Sequence, residues 1–156
     1  MALEIERKFL VDAARIDWEE ASGRERMRQG YLLNEKGRNI RVRIAGERAF
    51  LTIKGRAEGI TRPEYEYAIP VEDAEGLLRL TDGGLIEKTR YCFEVAGHTW
   101  EVDVFEGKNR GLIVAEIELA SEDTPFEKPA WVTEEVTHDP RYLNAQLLLH
   151  PFRGWE

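Results

Sequence analysis

The stretch at positions 4–11 reads EIERKFLV, and it decides the fold because charged residues recur at every second position. Side chains alternate across a strand, so Glu4, Glu6 and Lys8 share one face, with neighbours on that face roughly 7 Å apart. Two carboxylates so close repel each other unless a cation lies between them. One such strand alone is typical of a solvated face, and the other strands must decide whether these charges form a site.

Strand-length alternation punctuated by turns dominates the rest of the chain. Seven further strands are predicted at RQGYLL (28–33), RNIRVRIA (38–45), RAFLTIKG (48–55), TRPEYEYAI (61–69), GGLIEKTRYCFEV (83–95), GHTWEVDVFEG (97–107) and GLIVAEIELA (111–120). Residues 12–28 are predicted to be irregular and partly helical. VEDAEGLLRL (71–80) has the apolar spacing of an amphipathic helix, and Asp139-Pro140 resembles the start of a helix over RYLNAQLLL (141–149). We predict a single, mainly β (α+β) antiparallel domain over residues 1–156.

The composition limits the classes of function. A formal net charge of −8 in 156 residues argues against general binding to nucleic acid or to anionic membranes, where an excess of Lys and Arg is expected. The single cysteine, Cys92, excludes an intramolecular disulfide and is typical of a reducing compartment. No signal-peptide layout and no membrane-spanning segment are found in the sequence. We expect a cytoplasmic protein with no nucleic-acid and no membrane partner.

Sorting each strand by parity shows like charges two residues apart on strand after strand. The pairs are Glu4 and Glu6, Arg41 and Arg43, Glu64 and Glu66, Lys88 and Arg90, Glu101 and Asp103, and Glu116 and Glu118, with Lys54 on a further strand. An ordinary solvated face mixes signs and includes uncharged polar residues. Because paired like charges reduce stability, their repetition indicates that they converge on a ligand.

The two charge classes suggest which ligand this is. Grouped carboxylates favour Mg²⁺ or Mn²⁺, and grouped Arg and Lys favour phosphate. Together they predict a metal-bound polyphosphate inside a barrel with a charged interior. An apolar cargo of the lipocalin kind does not fit such an interior. An outer-membrane barrel shares the alternation, but Arg7 and Glu87 on the other face and the absence of an export signal argue against it.

These residues resemble a known family. EIERK (4–8) fits the ExExK signature of the CYTH superfamily, also called triphosphate tunnel metalloenzymes, and the resemblance to its short bacterial members covers nearly the whole chain. Other matching segments are RNIRVRIAGERAFLTIKG (38–55), RPEYEYAIPVEDAEGLL (62–78), LIEKTRY (85–91), WEVDVFEG (100–107), AEIEL (115–119) and DPRYLNAQL (139–147). The resemblance implies an eight-stranded antiparallel barrel that closes into a tunnel, with a few covering helices.

The resemblance also implies roles for the inward-facing residues. Metal ligands would be Glu4, Glu6, Glu116 and Glu118, and Asp103, Glu64 and Glu66 could complete a second metal or water site. The phosphates would be gripped by Lys8, Arg41, Arg43, Lys54, Lys88 and Arg90. The resemblance leaves two alternatives for the activation of water. Either Tyr31 paired with Lys8 activates the water, or the water is bound at the metal and oriented by Glu118 or Glu66. Tyr31 could equally serve as an aromatic that packs the barrel.

The superfamily uses this tunnel for several reactions. The resemblance to short bacterial members favours metal-dependent hydrolysis of inorganic triphosphate to pyrophosphate and orthophosphate, with Mg²⁺ or Mn²⁺ as cofactor and a small-molecule triphosphate as partner. The alternatives are a class IV-type adenylyl cyclase, another nucleoside or thiamine triphosphatase, and a non-catalytic polyphosphate or nucleotide sensor. A homodimer is left open, since the sequence does not settle the oligomeric state.

Overall fold

The structure is a computed structural model that describes residues 3–155. Within that range the strands are β1 (Leu3–Val11), β2 (Gly23–Glu35), β3 (Arg38–Ala45), β4 (Arg48–Lys54), β5 (Thr61–Ile69), β6 (Asp82–Val95), β7 (His98–Phe105), β8 (Ile113–Glu118) and β9 (Val132–Glu135). The α-helices are α1 (Val71–Leu78) and α2 (Asn144–Leu149). Neither of these helices has the length and apolar character needed to cross a membrane.

The first eight strands close into an antiparallel barrel. Their order around the ring is β5-β4-β3-β2-β6-β7-β8-β1, and β1 returns to β5. The closing seam is short, because only residues 3–5 of β1 pair with residues 61–63 of β5. β9 lies outside the ring and pairs with the last part of β1. The predicted eight-stranded antiparallel barrel with a few helices is therefore confirmed.

Three local features differ from the sequence prediction. β2 begins at Gly23, whereas the sequence predicted a strand only from position 28. The charged first half of β2 lacks the alternation of apolar residues that indicates a strand, but it pairs along β6. The short β9, four residues long, was not predicted. The last helix is broken: the Asp139 side chain accepts a hydrogen bond from the Arg141 backbone N–H and caps a 3₁₀ turn over Pro140–Tyr142, after which α2 starts at Asn144.

Two apolar clusters cover the outside of the barrel. On one side Phe9 and Trp100 are fully buried with ring centroids 5.4 Å apart, and Trp131 packs against them from the segment before β9. On the other side Ala74 of α1 packs against Val42 of β3. Burial of a large apolar side chain contributes about 1.5–3 kcal/mol. Because these contacts stabilise the barrel from outside, its interior is free to carry charge.

A third apolar cluster closes part of one end of the interior. Phe105 lies opposite Lys88 in the β6–β7 ladder and therefore shares the inner face. Tyr142 and Leu147 of the C-terminal segment pack onto this end. We call the cluster the apolar plug; its members are Ile86, Phe105, Leu112, Val114, Val136, Tyr142 and Leu147. The plug brings the C-terminal segment against the charged part of the barrel.

Candidate active site in the barrel interior

The barrel encloses a cavity of about 940 Å³. All but one of the predicted site residues line it: Glu4, Glu6, Lys8, Tyr31, Arg41, Arg43, Lys54, Glu64, Glu66, Lys88, Arg90, Glu116 and Glu118. The exception is Asp103, which lies behind the lining and is 1 % exposed. The parity of the strands therefore brings residues from seven separate segments to one cavity.

The interior is divided into an acidic half and a basic half. The adjacent strands β5, β1, β8 and β7 form the acidic half, whose inward carboxylates are Glu64, Glu66, Glu4, Glu6, Glu116, Glu118, Glu101 and Asp103. The adjacent strands β6, β2, β3 and β4 form the basic half, whose cations are Lys88, Arg90, Arg41, Arg43 and Lys54. The exceptions that line the cavity are Lys8 and Arg62, which are cations on strands of the acidic half, and Glu35, which is a carboxylate at the end of β2. Chain order does not show this division, since basic β6 follows acidic β5.

Ion pairs join the two halves at both of their boundaries. At the β4–β5 boundary, the Lys54 ammonium donates to the two Glu4 oxygens at 3.1 and 2.9 Å and lies 3.4 Å from Glu64. At the β6–β7 boundary, Arg90 donates from Nε and Nη2 to the two oxygens of Asp103 at 2.8 and 2.9 Å. Such two-point arginine–carboxylate pairs fix the plane of the guanidinium.

The environment of Asp103 differs from that of a metal ligand. Besides the two bonds from Arg90, its Oδ2 accepts a hydrogen bond of 2.6 Å from the ammonium of Lys88, which is 0 % exposed. Burial raises the pKa of Asp103, but Arg90 and Lys88 outweigh it and hold that pKa at about 2. Asp103 thus anchors two phosphate-gripping candidates, Lys88 and Arg90, whereas the family resemblance implied a place for it at a second metal or water site.

The cations of the basic half crowd one another. Burial, together with the charges of Arg90 and Arg43, lowers the pKa of Lys88 to about 7 despite the opposing effect of Asp103. Burial and the neighbouring Arg41 and Arg90 also lower the pKa of Arg43. Grouped cations without equal negative charge form a strong site for an anion, because an anion relieves their mutual repulsion.

The acidic half contains two neighbouring carboxyl pairs, Glu4 with Glu64 and Glu6 with Glu116, and the pKa values within each pair are shifted in opposite directions. Burial and the hydrogen bond with Glu4 raise the pKa of Glu64 to about 7, whereas Lys54 and Glu64 overcome burial and lower that of Glu4. Burial and the charges of Glu116 and Glu4 raise the pKa of Glu6 well above its ordinary value. Burial acts in the same direction on Glu116, but Lys8 and the cations of β6 outweigh it and hold its pKa well below the ordinary value.

The donor set of the acidic half fits a hard divalent cation. It consists of carboxylate oxygens alone, which Mg²⁺ and Mn²⁺ prefer. Within residues 3–155, however, no group of three or more His, Cys, Asp or Glu side chains is already arranged to hold an ion. Lys54 holds Glu4, and the Lys8 ammonium lies 3.5 Å from Glu116. The carboxylates would have to exchange these ammonium partners for the ion.

Tyr31 and Lys8 lie on opposite sides of the ring. β2 and β1 are four strands apart in either direction around the barrel, and both side chains line the cavity. The Lys8 ammonium donates to the backbone oxygen of Tyr142 at 3.3 Å, whereas Tyr31 pairs with Arg41 in the β2–β3 ladder. Tyr31 and Lys8 would therefore act together only across the cavity, through a molecule bound between them.

No individual role was predicted for several polar residues of the site. Glu101 lines the acidic half, and Thr52 donates to Glu66 at 2.9 Å. Gln29 is fully buried beside Arg43, and Asn144 enters the cavity from the first turn of α2. Strand parity could have found Gln29, which lies two residues before Tyr31. No sequence pattern indicated Asn144, because it does not belong to a barrel strand.

Comparison with known proteins gives one family over nearly the whole chain. The CYTH domain matches residues 2–147. The chain is 45% identical over 157 residues to an inorganic triphosphatase of Acetivibrio thermocellus, a match that covers 100% of this chain and 99% of the relative. It is 42% identical over 150 residues to an inorganic triphosphatase of Nitrosomonas europaea, with 94% of this chain and 97% of the relative covered.

A solved structure shares the fold. The crystal structure of the inorganic triphosphatase NE1496 superposes with a TM-score of 0.65 at 39% sequence identity. The superposition covers 96% of this chain and 96% of that chain. The two proteins therefore share the fold over nearly their whole length.

Proposed function

This chain belongs to the CYTH family, and from that premise we propose that it hydrolyses inorganic triphosphate to pyrophosphate and orthophosphate in the barrel cavity. The observation that carries the proposal is the division of the cavity into an acidic and a basic half. A triphosphate chain with a divalent cation has the complementary charge distribution. The inorganic triphosphatases of Acetivibrio thermocellus and Nitrosomonas europaea, similar along their whole length, support the same substrate.

The basic half is proposed to hold the phosphate chain. Guanidinium groups bind phosphate oxygens at two points, and ammonium groups act as compact point charges. The proposed residues are Arg41, Arg43, Lys54, Lys88 and Arg90, with Lys8 from the opposite side. Phosphoryl transfer depends mainly on alignment and charge neutralisation, so a fixed set of cations supplies much of the catalysis.

The acidic half is proposed to hold the divalent cation on which CYTH triphosphatases in general depend. The proposed ligands are Glu4, Glu6, Glu116 and Glu118, with Glu64 and Glu66 at a second metal or water position. When bound, Mg²⁺ or Mn²⁺ neutralises phosphate charge and lowers the pKa of water. Asp103 is left out of this set because it lies behind the cavity lining, 1 % exposed, where it holds Lys88 and Arg90.

In the proposed reaction, water attacks the terminal phosphorus, the bond from that phosphorus to its bridging oxygen breaks, and pyrophosphate leaves. The candidates for handling the water and its proton are Lys8, Tyr31 and Glu118. Burial lowers the pKa of Lys8, but Glu116, Glu6 and Glu4 together raise it above the ordinary value. Lys8 therefore stays an ammonium and suits charge neutralisation, which leaves Tyr31 or Glu118 to orient the water.

The test is phosphate release from tripolyphosphate, with ATP and thiamine triphosphate alongside, each with Mg²⁺, Mn²⁺ or EDTA. We expect metal-dependent release from tripolyphosphate that EDTA abolishes. Cyclic AMP and pyrophosphate from ATP would instead indicate the class IV-type cyclase. Tight binding of tripolyphosphate without turnover would indicate a sensor.

The partners, the cellular location and the oligomeric state are also proposals. The partner is a small-molecule triphosphate, and the net charge of −8 supports neither nucleic acid nor an anionic membrane. A cytoplasmic location rests on the single Cys92. A homodimer stays a prediction, which light scattering on the purified protein tests.

Binding of tripolyphosphate to the metal-free protein is expected to take up protons near pH 8. The pKa of Lys88 is lowered to about 7 in the free protein, and an adjacent polyanion raises it. Between the two pKa values the complex holds more protons than the free protein, so affinity falls as the pH rises through this window. Calorimetry in buffers of different ionisation enthalpy measures the uptake.

The matched control is Lys88→Arg, whose guanidinium stays protonated with and without ligand. The protons that tripolyphosphate itself gains or loses are the same with both proteins. The difference in proton uptake between the two proteins therefore reports the titration of Lys88. Equal proton uptake by the wild type and Lys88→Arg would contradict the assignment.

A further inference from the structure

A chain of two side-chain amides links the basic half of the barrel to the C-terminal segment. The Asn144 Oδ1 accepts hydrogen bonds from the Lys88 ammonium at 2.9 Å and from the Gln29 Nε2 at 3.1 Å. The Gln29 Oε1 in turn accepts from the Arg43 Nε at 2.8 Å. Lys88 and Gln29 are both 0 % exposed, so this chain lies in the low-dielectric wall of the cavity.

The chemistry of its two ends fixes the orientation of both amides. Ammonium and guanidinium groups donate hydrogen bonds and accept none. Gln29 must therefore direct its oxygen to Arg43, which leaves its nitrogen to donate to Asn144. Asn144 must direct its oxygen to both Lys88 and Gln29, because a flipped amide would place donor against donor. The position of the Asn144 Nδ2 is thereby determined as well.

The Asn144 Nδ2 carries two N–H donors that have no hydrogen-bond partner within residues 3–155. The side chain lines the same cavity as Lys88 and Arg43, the two cations at the ends of the amide chain. We propose that Asn144 is a substrate-binding residue, whose Nδ2 donates to an oxygen of the phosphate group that Lys88 holds. This inference rests on the proposed function, since it concerns the same tunnel and the same substrate.

The segment that carries Asn144 is held firmly against the barrel. The Val136 N–H donates to the Lys8 oxygen at 2.8 Å, and the Asn34 Nδ2 donates to the Ala145 oxygen at 3.1 Å. Leu147, one turn after Asn144, is fully buried in the apolar plug. A donor fixed in this way needs little reorganisation when charge develops on the phosphate.

Two substitutions separate substrate binding from a role in positioning Lys88 alone. Asn144→Asp keeps an oxygen for Lys88 and for Gln29, but replaces the free N–H donors with a second carboxylate oxygen that repels phosphate. Asn144→Ala removes both functions. We expect kcat/KM for tripolyphosphate to fall about 10- to 100-fold in Asn144→Ala, as for loss of a hydrogen bond to a charged group. Asn144→Asp should fall further, with the KM for tripolyphosphate raised in both variants.

The matched control is Asn109→Ala, which loosens the C-terminal segment elsewhere. The Asn109 Oδ1 accepts from the Phe152 N–H at 2.8 Å, and the residue does not line the cavity. Its kcat/KM should stay near that of the wild type. If Asn144→Asp stays within about twofold of the wild type, Asn144 only positions Lys88 and the inference is wrong.

Failure of the proposed function gives a different result. If the wild type releases no phosphate from tripolyphosphate, calorimetry of tripolyphosphate binding to the metal-free proteins still tests the contact. A weaker Kd for Asn144→Asp than for the wild type and Asn109→Ala supports the inference, and equal Kd values for all three overturn it.

Discussion

Glu6→Ala and Glu4→Ala are each expected to lower the rate of tripolyphosphate hydrolysis by about a hundredfold or more, as when one preorganised electrostatic contact of an active site is deleted. Both residues belong to the proposed metal-binding set on β1. The concentration of Mg²⁺ needed for half-maximal activity should rise in parallel, because a ligand oxygen is lost. A rate unchanged in both variants would contradict the metal assignment.

The same Glu6→Ala variant is expected to be at least as stable as the wild type in the absence of metal. Burial and the charges of Glu116 and Glu4 raise the pKa of Glu6 in the folded protein, so its ionised form opposes folding. The folded chain holds this proton at higher pH than the unfolded chain does, and the wild type therefore loses stability as the pH rises above about 4.5. The gain in melting temperature of Glu6→Ala should be larger at pH 8 than at pH 5.

The matched control for both measurements is Glu127→Ala. Glu127 is exposed on the segment before β9 and does not line the cavity. Its rate, its Mg²⁺ requirement and its melting temperature should stay close to those of the wild type. Loss of activity together with loss of stability in Glu6→Ala would instead indicate a structural role for that residue.

Asp103→Asn is expected to lower both stability and activity without changing the Mg²⁺ requirement. Removing one partner of a buried ion pair leaves unpaired charge, which typically lowers the free energy of unfolding by about 3–5 kcal/mol. Here two cations, Lys88 and Arg90, lose their shared carboxylate. We expect kcat/KM to fall on the order of a hundredfold, because both cations lose their fixed positions.

The Mg²⁺ titration of Asp103→Asn distinguishes an anchor from a metal ligand. An increased Mg²⁺ requirement would instead support the place at a second metal or water site that the family resemblance implied for Asp103. Glu135→Ala serves as the control for loss of a two-point arginine–carboxylate pair, since Arg7 donates to both Glu135 oxygens at the protein surface. Exposed pairs contribute only about 0.2–1 kcal/mol, so its unfolding should change little.

Strand parity predicted the inner face of the barrel well, for a physical reason. Two of the apolar clusters lie outside the barrel, so inward positions beyond the apolar plug were free to carry charge, and the alternation on the charged strands was unambiguous. Parity could not tell what each charge does. Asp103 and Glu101 share one face of β7, yet only the ladder that sets Asp103 opposite Arg90 reveals that Asp103 anchors a cation.

The order of the strands around the ring could not be predicted from the sequence pattern. β2 pairs with β6, and β5 with β1, through contacts between residues far apart in the chain. Together with the equally non-local pairing of β1 with β8, they gather the acids on one side and the cations on the other. Asn144 was missed for a related reason: its position depends on the packing of Leu147 into the apolar plug, which no local periodicity encodes.

The acidic and basic halves of the barrel have a consequence for selection. Opposite walls of opposite sign create an electric field directed across the tunnel rather than along it. A bare polyanion is repelled by one wall and a bare cation by the other, whereas their complex gains on both sides. In the proposed function, the complex would bind in one rotation about the barrel axis, with its metal towards β1 and β8. The barrel thus selects for a transverse dipole rather than for net charge.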